Sequence, residues 1–157
     1  MKVPLLLRLA AAITFLYFAG HTAGMPWTPA VGPGEAPVLA AMKSHSFNAA
    51  GVTRTYWDFY FGFGVIISGY LLVQAVVLWQ LGSLAKPDSL RVRPIVASFL
   101  VAFIVNAVLA WKYFFAVPVL TAIAISVCLS LAFVMAGRSK AAPQSAPAGV
   151  PAPRLRG

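Results

Sequence analysis

Asp58 and His21 are residues of types that can do acid–base chemistry, and each lies at the edge of a long apolar run. Asp58 stands in the block Tyr-Trp-Asp-Phe-Tyr, and His21 follows the first apolar run. Ionisable groups in membrane helices are costly unless paired or wet, and they commonly serve a function. As a pair, the two side chains would form a structural hydrogen bond, a proton relay or part of a ligand site. The alternative for Asp58 is a helix N-cap at the water surface.

Each of these residues belongs to a stripe with helical spacing. Asp58 shares one face with Gly62 and Gly69, and His21 shares another with Thr14 and Tyr17. Glycines on a membrane helix either admit a neighbouring helix at close range or leave a narrow slot beside the acid. The sequence leaves both outcomes open.

These stripes predict a ligand-binding recess in the outer half of a bundle. Apolar pockets with a few convergent polar groups are the default place to look for a ligand. The segment around residues 42–47 is expected to roof the recess. The predicted ligand-binding residues are Tyr17, His21, Trp57, Asp58, Gly62 and Asn106.

No catalytic residue is assigned beyond the candidates Asp58 and His21. His21, His45 and Asp58 lack the spacing of metal ligands, so neither a metal nor a cofactor is predicted. Cys128 is the single cysteine, which excludes a disulfide scaffold.

Composition indicates what kind of element positions these residues. Of the 157 residues, 61% are hydrophobic and 10% are charged. Soluble domains carry roughly 25% charged residues, so an integral membrane protein is expected. A membrane-spanning helix needs about 20 apolar residues. The gaps between charges predict an all-α membrane fold, a bundle of four transmembrane helices at about 3–20, 59–84, 94–111 and 118–137.

The hydrophilic segments complete the predicted organisation. Residues 1–137 form one transmembrane domain, and the Pro/Ala-rich residues 138–157 form a disordered tail. The loop 21–57 between the first two helices is long for so small a protein. Its second part, about 36–50, is expected to form a short amphipathic helix. The first helix also has features of a signal peptide, but bulky residues near its end favour retention.

Charge predicts orientation and partners. Twelve Lys and Arg residues face three Asp and Glu, a formal charge of +9. With both termini on one side, nine of the twelve cations lie on that side, which predicts cytoplasmic termini and an extracytoplasmic 21–57 loop. The cations are spread among short segments without aromatic platforms, so anionic lipid headgroups are the expected partners and nucleic acid is not.

Several motifs resemble a family of small bacterial four-helix membrane proteins of unknown function. They are His21-Thr-Ala-Gly24, Met42-Lys-Ser-His-Ser-Phe47, Arg54-Thr-Tyr-Trp-Asp-Phe-Tyr-Phe-Gly-Phe-Gly64 and Tyr113-Phe-Phe-Ala-Val-Pro118. The resemblance covers roughly residues 5–136 and implies the inner membrane of a bacterium, with no assigned catalytic residues. The chain is more loosely similar to DoxX-like bundles and to the sterol-isomerase and sigma-2 receptor superfamily.

Three function classes follow. Few ionisable groups and many aromatic residues favour a non-enzymatic bundle that binds an apolar ligand, a lipid or a partner membrane protein as an accessory subunit, or that forms a homo-oligomer. The alternative is a small membrane enzyme, of isomerase or oxidoreductase type, acting on a lipid, sterol-like or quinone-like substrate through Asp58 and His21. A transporter is disfavoured, because the inner half carries little besides Arg8 within the membrane.

Overall fold

Four long apolar helices dominate the structure, a computed structural model that describes residues 2–24 and 32–138. They are α1 (Val3–Gly24), α3 (Tyr56–Leu84), α4 (Ser89–Tyr113) and α5 (Ala116–Arg138). Each is long and apolar enough to cross a membrane. The helical membrane bundle predicted from composition is therefore confirmed. The predicted 138–157 tail falls outside the described residues except for Arg138.

Helices α3 and α4 begin before the predicted positions, because the gap between charges marks only the part that can cross hydrocarbon. Helix α5 begins two residues before its predicted start at 118. Thr55 caps α3, and Asp88 caps α4 by accepting a hydrogen bond from the Leu90 N–H at 3.0 Å. The early start of α4 includes Arg91 and Arg93 in its first turns and leaves Pro94 inside the helix. A polar first turn is compatible with a membrane helix because it lies at the water interface.

The segment between α1 and α3 holds more structure than one short helix. Helix α2 covers Glu35–Ser44, and a β-hairpin follows with β1 (Ser46–Ala49) antiparallel to β2 (Val52–Thr55). The turn residues Ala50 and Gly51 have φ of 52° and 86°, the left-handed pair typical of a tight two-residue hairpin. The hairpin was not predicted from the sequence, and β2 runs directly into α3.

The helices pack in the order α3–α1–α5–α4. Helix α1 contacts α3 and α5, α4 contacts α5, and α3 and α4 scarcely touch. On α5 the fully buried positions Ala122, Ile125, Leu129 and Ala132 recur every three or four residues. The buried small residues Cys128, Ala132 and Ala136 recur every four residues along the same helix, a spacing that lets membrane helices approach closely.

The core lies in one half of the bundle. Its buried side chains come from the first three turns of α1, the last two turns of α3, the first half of α4 and the second half of α5. We call this end, which carries Lys2 and Arg138, the inner end, and the end with α2 and the hairpin the outer end. The helices are therefore packed tightly at the inner end.

Candidate functional site

Asp58 belongs to a reciprocal cap at the start of α3. The Asp58 N–H donates to Thr55 Oγ1 at 3.1 Å, and the Thr55 N–H donates to Asp58 Oδ2 at 2.8 Å. This capping box satisfies two backbone donors that a helix start otherwise leaves unpaired. Asp58 is exposed. Of the two alternatives for Asp58, the structure supports helix capping, with Thr55 rather than Asp58 as the N-cap residue.

His21 binds hydroxyl groups instead of a carboxylate. Its Nδ1 lies 3.1 Å from Ser68 Oγ, and Thr22 Oγ1 donates to the same oxygen at 2.9 Å. Ser68 Oγ accepts from Thr22, and its two lone pairs and one proton allow it to pair with either tautomer of His21. Ser68 is buried. We call these three residues the hydroxyl cluster; it joins α1 to α3.

The predicted pairing of His21 with Asp58 is wrong. His21 contacts Ser68, which lies ten residues beyond Asp58 along α3, about 15 Å of helix rise. The prediction assumed that α1 ends at the level where α3 begins. Instead His21 lies beside Ser68, so Gly24 at the end of α1 lies near residue 65 of the antiparallel α3. The start of α3 at Tyr56 therefore extends about 13 Å beyond Gly24.

A shallow groove runs along the outward side of the first turns of α3. It has a volume of about 260 Å³, and we call it the outer groove. Its lining comprises Arg54, Asp58, Phe59, Gly62, Phe63 and Ile66. One end thus carries a guanidinium and a carboxylate, and the remainder is aromatic and aliphatic.

Glycine makes room in this groove rather than for a neighbouring helix. A Cβ placed on Gly62 would meet no atom within 4 Å, and the same holds for Gly69. Within the described residues no helix packs closely on either glycine; Gly62 lines the outer groove, whereas Gly69 faces open space outside it. The Phe47 ring, from the segment predicted as a roof, lies 5.5 Å from the Phe59 ring at the edge of the groove.

The predicted ligand-binding residues do not share one cavity. Asp58 and Gly62 line the outer groove, whereas Tyr17 and His21 lie on α1. The Trp57 ring lies 5.5 Å from the tilted Tyr60 ring, and the Lys43 ammonium lies 4.8 Å from the Trp57 ring centroid. Asn106 is on α4, which does not pack against α1. Whether any of them binds a ligand stays a prediction.

Sequence reasoning missed most of the groove and the partner of His21. Phe59, Phe63 and Ile66 were not singled out as groove residues. Ser68 had a detectable signal, because it falls in the series of buried α3 positions Gly64, Ser68, Leu71, Ala75 and Leu78. A polar residue within such a series faces a neighbouring helix and needs a partner there.

Metal-ligating residues do not cluster in residues 2–24 and 32–138: no three His, Cys, Asp or Glu side chains lie together there. Cys128 is buried on α5 with a free thiol, as a small core residue would be. No protein-family model, curated protein or solved structure matches this chain. The resemblance based on the 54–64 block therefore stays a prediction.

Proposed function

We propose that this chain is a non-enzymatic membrane bundle that binds a lipid-like amphiphile in the outer groove. The observation that carries the proposal is the chemistry of the groove, a charged end formed by Arg54 and Asp58 above an apolar slot. An anionic headgroup would face Arg54, and a hydrocarbon chain would lie against Phe59, Phe63 and Ile66. We place the protein in the inner membrane of a bacterium, with the groove on the extracytoplasmic side.

Adding a side chain at Gly62 tests this proposal directly. Gly62→Leu would fill the slot from inside, whereas Gly69→Leu adds the same side chain seven residues along α3, outside the groove. Neither position has atoms within 4 Å of a new Cβ, so neither change should alter thermal melting by overpacking. Mass spectrometry of lipids that co-purify in mild detergent compares the variants.

We expect wild type and Gly69→Leu to retain a lipid that Gly62→Leu loses. Arg54→Gln should weaken retention of anionic lipids without affecting neutral ones, since the guanidinium is the cationic end of the slot. Equal retention by both glycine variants would contradict the proposal. A wild-type protein that carries no lipid out of the membrane would contradict it as well.

The geometry favours binding over catalysis. The enzymatic alternative required Asp58 and His21 to act together on one substrate, and about 15 Å of α3 rise separates the positions at which they are held. Both side chains already have partners, Thr55 for Asp58 and Ser68 for His21. An acid–base pair must lie within hydrogen-bond reach of the same substrate.

A second candidate function, as an accessory subunit or homo-oligomer, is favoured by one residue on α4. This helix is the least buried of the four, with 17% of its most apolar stretch inside the protein against 33% for α1 and α5. Within the described ranges, no hydrogen bond joins the Asn106 side chain to another residue. A half-buried amide without a side-chain partner in the described residues favours association with another helix.

The association is tested by native mass spectrometry in mild detergent. We expect wild type to carry a second copy or a partner membrane protein that Asn106→Leu releases. Val108→Leu is the control, because Val108 is an exposed α4 residue without a polar group. A monomer in both the wild type and the variants would contradict this function.

A further inference from the structure

An open cleft lies at the inner end of the bundle, where the start of α1 meets the α3–α4 turn and the end of α5. Its volume is about 640 Å³, and we call it the inner cavity. Three cationic side chains line it, those of Lys2, Arg8 and Lys86. Leu5 and Met135 contribute apolar surface to the same wall.

Arg8 is held at this cavity by packing alone. Its guanidinium lies 5.1 Å from the centroid of the Trp79 ring, and a Cβ on Gly82 would lie 3.0 Å from Arg8 Cγ. The absence of a side chain at Gly82 is therefore what lets the Arg8 stem lie against α3. Arg8 Nε is buried and has no hydrogen-bond partner in the described part of the chain.

Within residues 2–24 and 32–138, no ion pair joins Lys2 or Lys86 to an acidic side chain. The whole chain has three acidic residues. Asp88 follows Lys86 closely, but its carboxylate accepts from the Leu90 N–H and from Arg91 Nε at 3.1 Å. Glu35 and Asp58 are at the outer end. The cavity thus combines three positive charges with no carboxylate in its lining.

The buried Arg8 Nε without a hydrogen-bond partner is costly, and a ligand that supplies anionic oxygens offsets that cost. Basic pockets between transmembrane helices bind phospholipid headgroups in this way. A cavity of this size fits a ligand much larger than an inorganic anion, since ligand pockets span roughly 300–1,000 Å³. Free phosphate has no apolar group that could pack against Leu5 and Met135.

We propose that the inner cavity binds an anionic phospholipid, with its phosphate among Lys2, Arg8 and Lys86 and the first carbons of its acyl chains against Leu5 and Met135. This site goes beyond the function proposed for the outer groove. The two sites share no residue and lie at opposite ends of the bundle, so either can fail without the other.

The test is native mass spectrometry of the full-length protein in detergent micelles, titrated with phosphatidylglycerol, phosphatidylcholine or inorganic phosphate. Lys86→Gln removes a cation from an exposed turn and should not impair folding. Arg138→Gln removes one cation from the same end, at an exposed residue outside the cavity. Each protein is also melted with and without each additive.

We expect preferential binding of phosphatidylglycerol over phosphatidylcholine. Lys86→Gln should weaken phosphatidylglycerol binding about fivefold, as for the loss of one basic residue near an anionic lipid surface, while Arg138→Gln should leave it unchanged. Lys2→Gln should match Lys86→Gln, and combining the two should weaken binding further.

Three results would overturn the proposal. Equal binding of the two lipids would mean that the cations do not select the headgroup. Equal weakening by Lys86→Gln and Arg138→Gln would mean that diffuse surface charge attracts the lipid. Stabilisation by inorganic phosphate alone, together with displacement of phosphatidylglycerol, would identify a site for a free anion.

Discussion

The two ends of the bundle differ in whether their polar residues have partners within the protein. At the outer end the polar side chains at issue bind each other, Asp58 with Thr55 and His21 with Ser68. At the inner end Lys2, Arg8 and Lys86 surround a cavity whose lining offers them no carboxylate. The two residues singled out as an acid–base pair are thus already hydrogen-bonded at the outer end, whereas the three cations at the inner end face no carboxylate in the lining they share.

The two ends also differ in how tightly their helices pack. The core cluster lies at the inner end, whereas α3 extends beyond α1 at the outer end and carries the exposed hairpin and groove. The inner cavity is thus built on the best-packed part of the molecule, which fixes the position of Arg8 through Trp79 and Gly82. A rigid support favours selective binding, because less ordering is needed when the ligand arrives.

The largest expected effect concerns which end faces the cytoplasm. Single cysteines at Ser44 and Ser139, each in a Cys128→Ala background, are exposed to a membrane-impermeant thiol reagent outside intact cells. We expect complete labelling at position 44 and none at 139, because the excess of Lys and Arg belongs on the cytoplasmic side. Lysed cells, in which both should react, are the control. The reverse pattern would place the inner cavity outside the cell.

The next prediction concerns the close contact between α1 and Gly82, which positions the Arg8 side chain. Gly82→Ala should lower the free energy of unfolding by about 1–3 kcal/mol, because the new Cβ would lie 3.1 Å from the Pro4 carbonyl oxygen, a backbone atom that cannot turn aside. Gly69→Ala is the matched control, since its Cβ meets no atom within 4 Å. Unfolding in mixed detergent micelles measures both. Equal stability of the two variants would mean that α1 and α3 are not in close contact at Gly82.

A smaller effect is expected from the hydroxyl cluster at the outer end. Ser68→Ala removes the acceptor of Thr22 and the partner of His21, and should cost about 1 kcal/mol, the usual size for hydrogen bonds between membrane helices. Ser126→Ala is the control, because that hydroxyl bonds only the Ala122 carbonyl of its own helix at 2.8 Å. The same unfolding assay applies, and equal losses would argue that the cluster does not join α1 to α3.

Sequence reasoning located the membrane helices because each run of apolar residues is long enough to identify by itself. It did not predict the hairpin, because residues 46–55 are few and their turn uses Ala50, a residue seldom found with positive φ. It also placed His21 and Asp58 at one depth, since it took the end of α1 and the start of α3 as level, and only packing shows that His21 lies beside Ser68 instead. The contact between Arg8 and Gly82 depends on helix register, which only packing determines.

The smallest effect separates the two roles open to Asp58, a capping residue and a wall of the outer groove. Asp58→Ala removes the acceptor of the Thr55 N–H and should cost about 0.5–1 kcal/mol, whereas Asp58→Asn keeps an acceptor oxygen and should cost less. Asp58→Asn is also expected to retain co-purified lipid, because the headgroup is assigned to Arg54 and not to the carboxylate. Unfolding and lipid mass spectrometry on the same preparations measure both properties. An Asp58→Asn protein with wild-type stability but no bound lipid would transfer the recognition role from Arg54 to Asp58, and the outer end would then have a charge whose function goes beyond capping.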